Sequence, residues 1–344
     1  MVVIDSSSSA PDAWLHLLPV ANRALLLRVL DSLEEAGVGA AGVALEAGLL
    51  PRVRRVVEEA RPWGLELSWL GCGAREGLPG ALAAAGEIAE ARPLLLHWGC
   101  GLFKESPRSQ LGGQLVGPYD AVLLVDSTRV ASPVVDLAAE RLASVTGRPR
   151  ARSRGNLAGV ALLGQGAAEA ARAVEPSGAA DRDLLAVLER MAKLGGRVRA
   201  RRAARCWRFS GAIDAALEAN RFLLEDVAVE EPECELLATD VQGPASIDHS
   251  AMLEHSTIRG PVVIGPRSRL INAYIGPYTS IGEDVCVEGA EIENSILLSG
   301  SRIRHLGGRL EASVVGPGAS IGRDFRLPRA LRLHVGEGAR VTLT

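Results

Sequence analysis

Beyond about residue 243 the chain repeats itself every six residues. An aliphatic residue followed by glycine recurs at Ile264-Gly265, Ile275-Gly276, Ile281-Gly282, Val315-Gly316 and Ile321-Gly322. Four positions after these aliphatics stand Ser268, Thr279, Val285, Ala319 and Phe325, mostly small or β-branched. A six-residue period with an inward aliphatic and a small neighbour is the signature of a hexapeptide parallel β-helix. One coil cannot bury its own apolar face, so coils stack and the core runs along the axis. The pattern predicts a β-helix domain over 243–344. Ahead of it, Glu230-Glu231-Pro232-Glu233 is acidic and Pro-broken, which reads as a linker over 230–242.

Residues 1–229 have a different texture. Val2 to Ile4 reads as a buried strand. Asn22 then reads as the cap of a helix with Leu26, Val29, Leu30 and Leu33 at helical spacing, stopped by Gly37. Strands are expected at Val38–Leu45, Leu65–Leu70 and Leu94–Trp98, separated by helices at Leu49–Ala60 and Leu78–Glu90. Farther on, Ala121–Val125 and Leu157–Leu163 read as strands, and Asp181–Leu194 and Ile213–Leu224 as helices. Strands alternating with helices of this length imply βαβ units and a mostly parallel sheet. The expected architecture is an α/β, Rossmann-like domain followed by a parallel β-helix.

Composition narrows the setting. The 344 residues suit two domains, and a net charge of −3 gives no support for bulk nucleic-acid binding. No apolar run approaches the roughly 20 residues needed to span a membrane. The start of the chain lacks the basic and apolar regions of a signal peptide, so a cytoplasmic location is expected. The five cysteines, Cys72, Cys100, Cys206, Cys234 and Cys286, form no CxxC pair, which argues against a disulfide framework or a zinc site. Lys104 and Lys193 are the only lysines, so arginine carries most of the cationic work.

Ser256–Arg269, "STIRGPVVIGPRSR", continues through "NAYIGPYTSIGEDVCVEGAEIENSILLSGSRI" to "RALRLHVGEGARV". With "LLPVANRALLLRVLDSLEEAGV", "GLELSWLGCGAREGLPGALAAA" and "CWRFSGAIDAALEANRFLLE", these segments resemble the long form of the glucose-1-phosphate thymidylyltransferase family. The resemblance covers almost the whole chain. It implies a nucleotidyltransferase domain with a left-handed β-helix behind it. It also implies transfer of a nucleotidyl group from a nucleoside triphosphate to a sugar 1-phosphate, with magnesium held by carboxylates.

Position by position, the resemblance implies a depleted site. The family's glycine-rich phosphate loop should follow the first strand, but here Asp5 and Ser6–Ser9 follow it. None of the 38 glycines precedes Gly37, and no arginine precedes Arg23. Leu15 stands where the family carries a phosphate-contacting lysine. Cys72 replaces the base-reading glutamine, whereas Gly77 keeps the glycine after it. Cys100 occupies the position of the first magnesium aspartate, and "WRFSG" places Arg208 for a lysine and Phe209 for the second aspartate. Gly159 matches a glycine that lies against the sugar, and Arg148 aligns with the lysine of Glu-Lys-Pro. Magnesium requires oxygen ligands, which a thiol and a phenyl ring do not supply. Losing an arginine, a lysine and both carboxylates implies at least about 6 kcal/mol less transition-state stabilisation, more than four decades of rate.

Other motifs have plainer readings. "GCGAREG" is one residue off a dinucleotide loop and reads as a tight turn. The six arginines between Arg197 and Arg208 read as a solvated strand edge or an anionic-ligand patch. His249, His255, His305 and His334 read as surface or packed residues rather than acyltransferase bases, and Cys100 as a buried thiol. Three functions follow. The first is a catalytically silent homologue serving as a regulatory or scaffold subunit, with no cofactor, in a homo-oligomer or with a paralogue. The second is an active nucleotidylyltransferase with a rebuilt, magnesium-dependent site. The third is an enzyme of another class on the same scaffold. Residual binding of a sugar phosphate or nucleotide is expected at Cys72, Gly77, Arg148, Gly159 and Arg208.

Overall fold

A computed structural model describes residues 2–5, 17–60, 63–72, 76–89, 92–98, 100–111, 119–126, 135–136, 154–208, 213–229, 231 and 233–323. The chain divides into two compact units, Met1–Asp226 and Val227–Thr344. No helix among the described residues is long and apolar enough to cross a membrane.

The first unit is built on an eight-stranded sheet in the order β11-β8-β10-β6-β1-β4-β5, with β9 paired to β10. Its strands are β1 (Val2–Asp5), β4 (Ala40–Glu46), β5 (Glu66–Cys72), β6 (Leu94–Trp98), β8 (Ala121–Asp126), β9 (Val135–Asp136), β10 (Arg154–Leu163) and β11 (Val198–Arg202). The short strands β2 (Pro19–Val20) and β3 (Arg23–Ala24) form one hairpin; β7 (Leu102–Phe103) and β12 (Cys206–Trp207) form another pair. Strands β6, β1, β4 and β5 run parallel, as the βαβ pattern requires. Strand β10 runs antiparallel to both β6 and β8, and β11 is parallel to β8 at the sheet edge.

Helices cover both faces. Helix α1 (Leu25–Glu35) and α2 (Leu50–Glu59) pack Leu26, Val29, Leu30, Leu33, Val53 and Val57 against Val43 and Leu45. On the other face lie α3 (Gly77–Ile88), α5 (Gly166–Arg172) and α6 (Ala180–Lys193), over Leu94, Leu96, Leu123 and Val125. The single turn α4 (Pro107–Gln110) and helix α7 (Ile213–Leu224) complete the set. Helix α5 escapes the periodicity reading because its buried face is Ala167, Ala168, Ala170 and Ala171. Small residues bring it close to α3, where a Cβ on Gly86 would stand 2.2 Å from that of Ala168.

Asn22 does not cap α1. With Ala21 it forms the two-residue turn of the β2–β3 hairpin, both at positive φ (47° and 61°), and Ala24 precedes the helix without a side-chain cap. Arg28 compensates by donating to the carbonyls of Val20 and Ala21 at 2.7–3.1 Å. Burial, with Arg23 nearby, pushes its pKa down to about 10. Asn220 of α7 accepts the Ala21 amide at 2.9 Å.

The second unit contains a left-handed, three-sided parallel β-helix of about five coils. Rungs stack in register as Leu236, Leu253, Leu270, Val287, Ile303 and Ile321 on one sheet, with Leu236 exposed at the first coil. Val241, Ile258, Ile275, Ile292 and Leu310 stack on the second, and Ile247, Ile264, Ile281, Leu297 and Val315 on the third. Residues 230–242 are not simply a linker. Glu235–Leu237 and Asp240–Gln242 are strands of the first coil, because Leu236 and Val241 fall in register with the rungs of the next coil. Phe325 lies outside the described residues.

The small residue after each aliphatic has a specific task. Ser268 is fully buried, donates its hydroxyl to the Gly282 carbonyl at 2.6 Å and accepts the Val285 amide at 3.1 Å. Ser256 repeats the arrangement one coil earlier by accepting the Ala273 amide. Ser268→Ala would strand the Val285 amide in the core, so a loss of about 1–3 kcal/mol is expected. Chemical denaturation of the variant against the parent chain measures it.

Candidate functional site

The cluster that matters lies past the C-terminal ends of the parallel strands, the usual ligand side of an α/β sheet. Asp5 at the end of β1 pairs in register with Trp98 at the end of β6. The chain then turns through Cys100, in the left-handed region at φ 47°, and Gly101 into β7. The β7–β12 pairing sets Trp207 opposite Leu102, which delivers Arg208 to the same place. From the other side, β10 is out of regular register with β8 between Leu157 and Ala161, and Gly159 lies in that irregularity at φ 89°. The first turn of α6 supplies Asp181.

These elements meet around one guanidinium. Arg208 Nη1 lies 2.6 Å from Asp181 Oδ1 and donates to Oδ2 at 2.7 Å, with the Leu157 carbonyl at 3.4 Å. The Arg208 guanidinium sits 5.4 Å from the Trp98 ring centroid, and the indole Nε1–H donates to Asp181 Oδ1 at 2.8 Å. Trp98 is fully buried, whereas the Arg208 and Asp181 side chains are 25% and 23% exposed. Arg208 Nε is buried and has no hydrogen-bond partner among the described residues. A Cβ on Gly159 would come within 2.7 Å of the Trp98 carbonyl and 3.6 Å of Arg208 Cδ. Gly159→Ala therefore combines a strained φ with a backbone clash, and a loss of about 2 kcal/mol or more in denaturation is expected.

Of the residues singled out from the sequence, Gly77, Gly159 and Arg208 gather around the first turn of α6. Gly77 opens α3, where a Cβ would lie 3.2 Å from Pro176 Cβ and 3.4 Å from Asp183 Oδ2. Asp183, also buried, accepts the Ser177 amide at 2.7 Å. Cys72 ends β5. Arg148, Phe209, His334, Leu15 and the serine run lie outside the described residues. Asp181 and Trp98 carried no motif; only their convergence on Arg208 marks them.

Cys100 and His97 line the same corner. Cys100 is 1% exposed, and burial pushes its thiol up to about 12, with the Arg208 charge pulling the other way. Such a thiol stays protonated at neutral pH. His97, also 1% exposed, meets Phe103 edge-on at 6.2 Å. Burial pushes its pKa down to about 4, opposed by the Gly101 backbone and reinforced by Arg208. The unfolded histidine near 6.5 binds the proton more readily, so His97 contributes fully above that pH and loses its contribution as pH falls toward 4. About 3 kcal/mol of stability is expected to disappear across that window, and His97→Leu should flatten the profile. Urea titrations from pH 7 to 4 test this.

The Arg208–Asp181 pair and the buried Cys100 thiol supply no free carboxylate for magnesium. Arg208 already neutralises the Asp181 carboxylate. No group of three or more metal-binding side chains occurs among the described residues. The remaining motifs settle simply. The arginine run forms edge strand β11, with Arg197 and Arg199 on Tyr119 and Arg205 paired to Glu225. His255 and His305 sit at left-handed corners of the β-helix, and the His249 side chain is 79% exposed.

No protein-family model matches the chain. It is 28% identical to a glucose-1-phosphate thymidylyltransferase of Streptomyces griseus, covering 96% of this chain and 93% of that protein. It is 26% identical to the low-salt glycan biosynthesis nucleotidyltransferase Agl11 of Haloferax volcanii, covering 95% and 94%. A Bacillus anthracis structure assigned as a glucose-1-phosphate thymidylyltransferase, solved with sucrose, superposes with a TM-score of 0.55. It covers 67% of this chain and 96% of that one at 14% identity, a likeness of fold. Over nearly its whole length, then, the chain is similar to glucose-1-phosphate thymidylyltransferases and to a glycan-biosynthesis nucleotidyltransferase.

Proposed function

We propose that this protein is a sugar-phosphate nucleotidyltransferase homologue that has lost catalysis and serves as a regulatory or scaffold subunit. The observation that carries the reading is Cys100. At the position where the resemblance puts a magnesium carboxylate, the chain has a buried thiol with its pKa pushed to about 12. A hard cation finds no ligand in such a group. The nearby Arg208 is already paired with Asp181 rather than open to a substrate. A cytoplasmic role beside an active paralogue, or as a homo-oligomer, fits this reading, with the β-helix as the assembly element.

The test is direct. The purified chain is incubated with magnesium, each of several nucleoside triphosphates and glucose 1-phosphate, and pyrophosphate is assayed. The expected rate is at least about four decades below that of an active relative. Turnover within tenfold of such a relative would sink the silent reading in favour of a rebuilt site.

A further inference from the structure

The carboxylate of Asp181 occupies the face of Arg208 that an anion would use. Guanidinium groups bind carboxylates and phosphates through the same donors, so the two compete for one partner. Both Asp181 oxygens lie on Arg208 Nη1, leaving the buried Nε–H with no hydrogen-bond partner among the described residues. A forked, bidentate pair, the stronger geometry, would engage two guanidinium nitrogens rather than one. Instead both oxygens share Nη1, the guanidinium lies 5.4 Å from the Trp98 ring centroid, and Nε keeps a donor to spare. Gly159 leaves the wall beside Arg208 Cδ without a side chain. Trp98 Nε1–H, the second donor to Asp181, fixes the carboxylate in place.

We propose that Asp181 is an internal latch on an anion site: its carboxylate stands in for a phosphomonoester on Arg208, and ligand enters only when the first turn of α6 releases the guanidinium. The phosphomonoester dianion is the chemical class, whether from a sugar 1-phosphate or from a nucleotide. It offers three acceptor oxygens, enough to take Nη1 from Asp181 and to satisfy Nε as well. A carboxylate already paired to Arg208 has to be displaced first, so the resting protein binds such ligands weakly. This extends the reading of a non-catalytic homologue, since it describes how a silent site would gate binding.

Calorimetry on the full chain tests the latch, with glucose 1-phosphate, thymidine triphosphate and inorganic phosphate as probes. Asp181→Asn keeps an acceptor for Trp98 but removes the competing charge. It is expected to bind at least one phosphate probe about tenfold or more tightly than the parent chain. Asp181→Glu, which keeps the charge, should show no such gain, and adding Arg208→Met to the Asn variant should abolish it. If Asp181→Asn does not fold, Asp181→Ser carries the same expectation. A preference for glucose 1-phosphate or for the triphosphate identifies the source, and equal binding of inorganic phosphate assigns the site to the phosphate group alone. The latch is overturned if the neutral variant binds every probe no tighter than the parent, or if the gain survives loss of Arg208. Pyrophosphate release by the parent chain would overturn the silent reading and leave these binding outcomes intact.

Discussion

One carboxylate, that of Asp181, joins three parts of the first unit that are far apart in sequence. It takes the indole N–H of Trp98 from the end of β6 and the guanidinium of Arg208 from just past β12. It is itself presented by the first turn of α6. Each of those groups is awkward to bury alone, because an indole N–H, a guanidinium and a carboxylate all keep unmet demands in an apolar setting. Together they meet most of one another's demands, the Arg208 Nε–H excepted. The corner where a phosphate would meet the sheet is thereby closed by charge as well as by packing.

The surrounding backbone is shaped to allow that closure. Gly159 lets β10 pass within van der Waals contact of the Trp98 carbonyl, and the register irregularity beside it turns the strand past the site. Cys100, small and at positive φ, turns the chain between β6 and β7 so that β12 can pair alongside. A carboxylate at Cys100 would be desolvated completely, with its nearest compensating charge already shared with Asp181. The buried thiol and the Asp181–Arg208 pair are thus consistent with one another. Each makes the other less costly.

The sequence carried the fold much further than the site. Strand β6 and helix α7 fall where their apolar runs place them, and the aliphatic-glycine pairs of the β-helix become buried rungs, because burial follows periodicity directly. The readings that failed have local causes. Asn22 suits an N-cap and a hairpin turn equally well, and the decision lay with Arg28 one helix turn on and Asn220, far away in sequence. Helix α5 buries alanines, which give almost no periodic contrast. The acidic stretch before residue 243 hides Leu236 and Val241, single apolar residues whose meaning depends on the coil stacked next to them.

For the site, the family resemblance pointed to Cys72, Gly77, Arg148, Gly159 and Arg208; of these, Gly159 lies beside Arg208, and Gly77 beside Asp183 in the first turn of α6. What it could not supply is the state of Arg208. An arginine in a motif reads as an available cation, but its availability depends on what else reaches it. Asp181 in sequence is only an acidic residue in the first turn of a helix, a favourable place for it on helix-dipole grounds alone. Its second role exists only once β6, β12 and α6 have been brought together. Residue identity at aligned positions therefore tells which groups were lost, whereas the geometry tells how a surviving group is held. Under the silent reading proposed above, the second question decides whether ligand binding outlasts catalysis. A cation kept but latched can respond to a ligand without transforming it, provided the ligand competes successfully with the carboxylate for the same guanidinium.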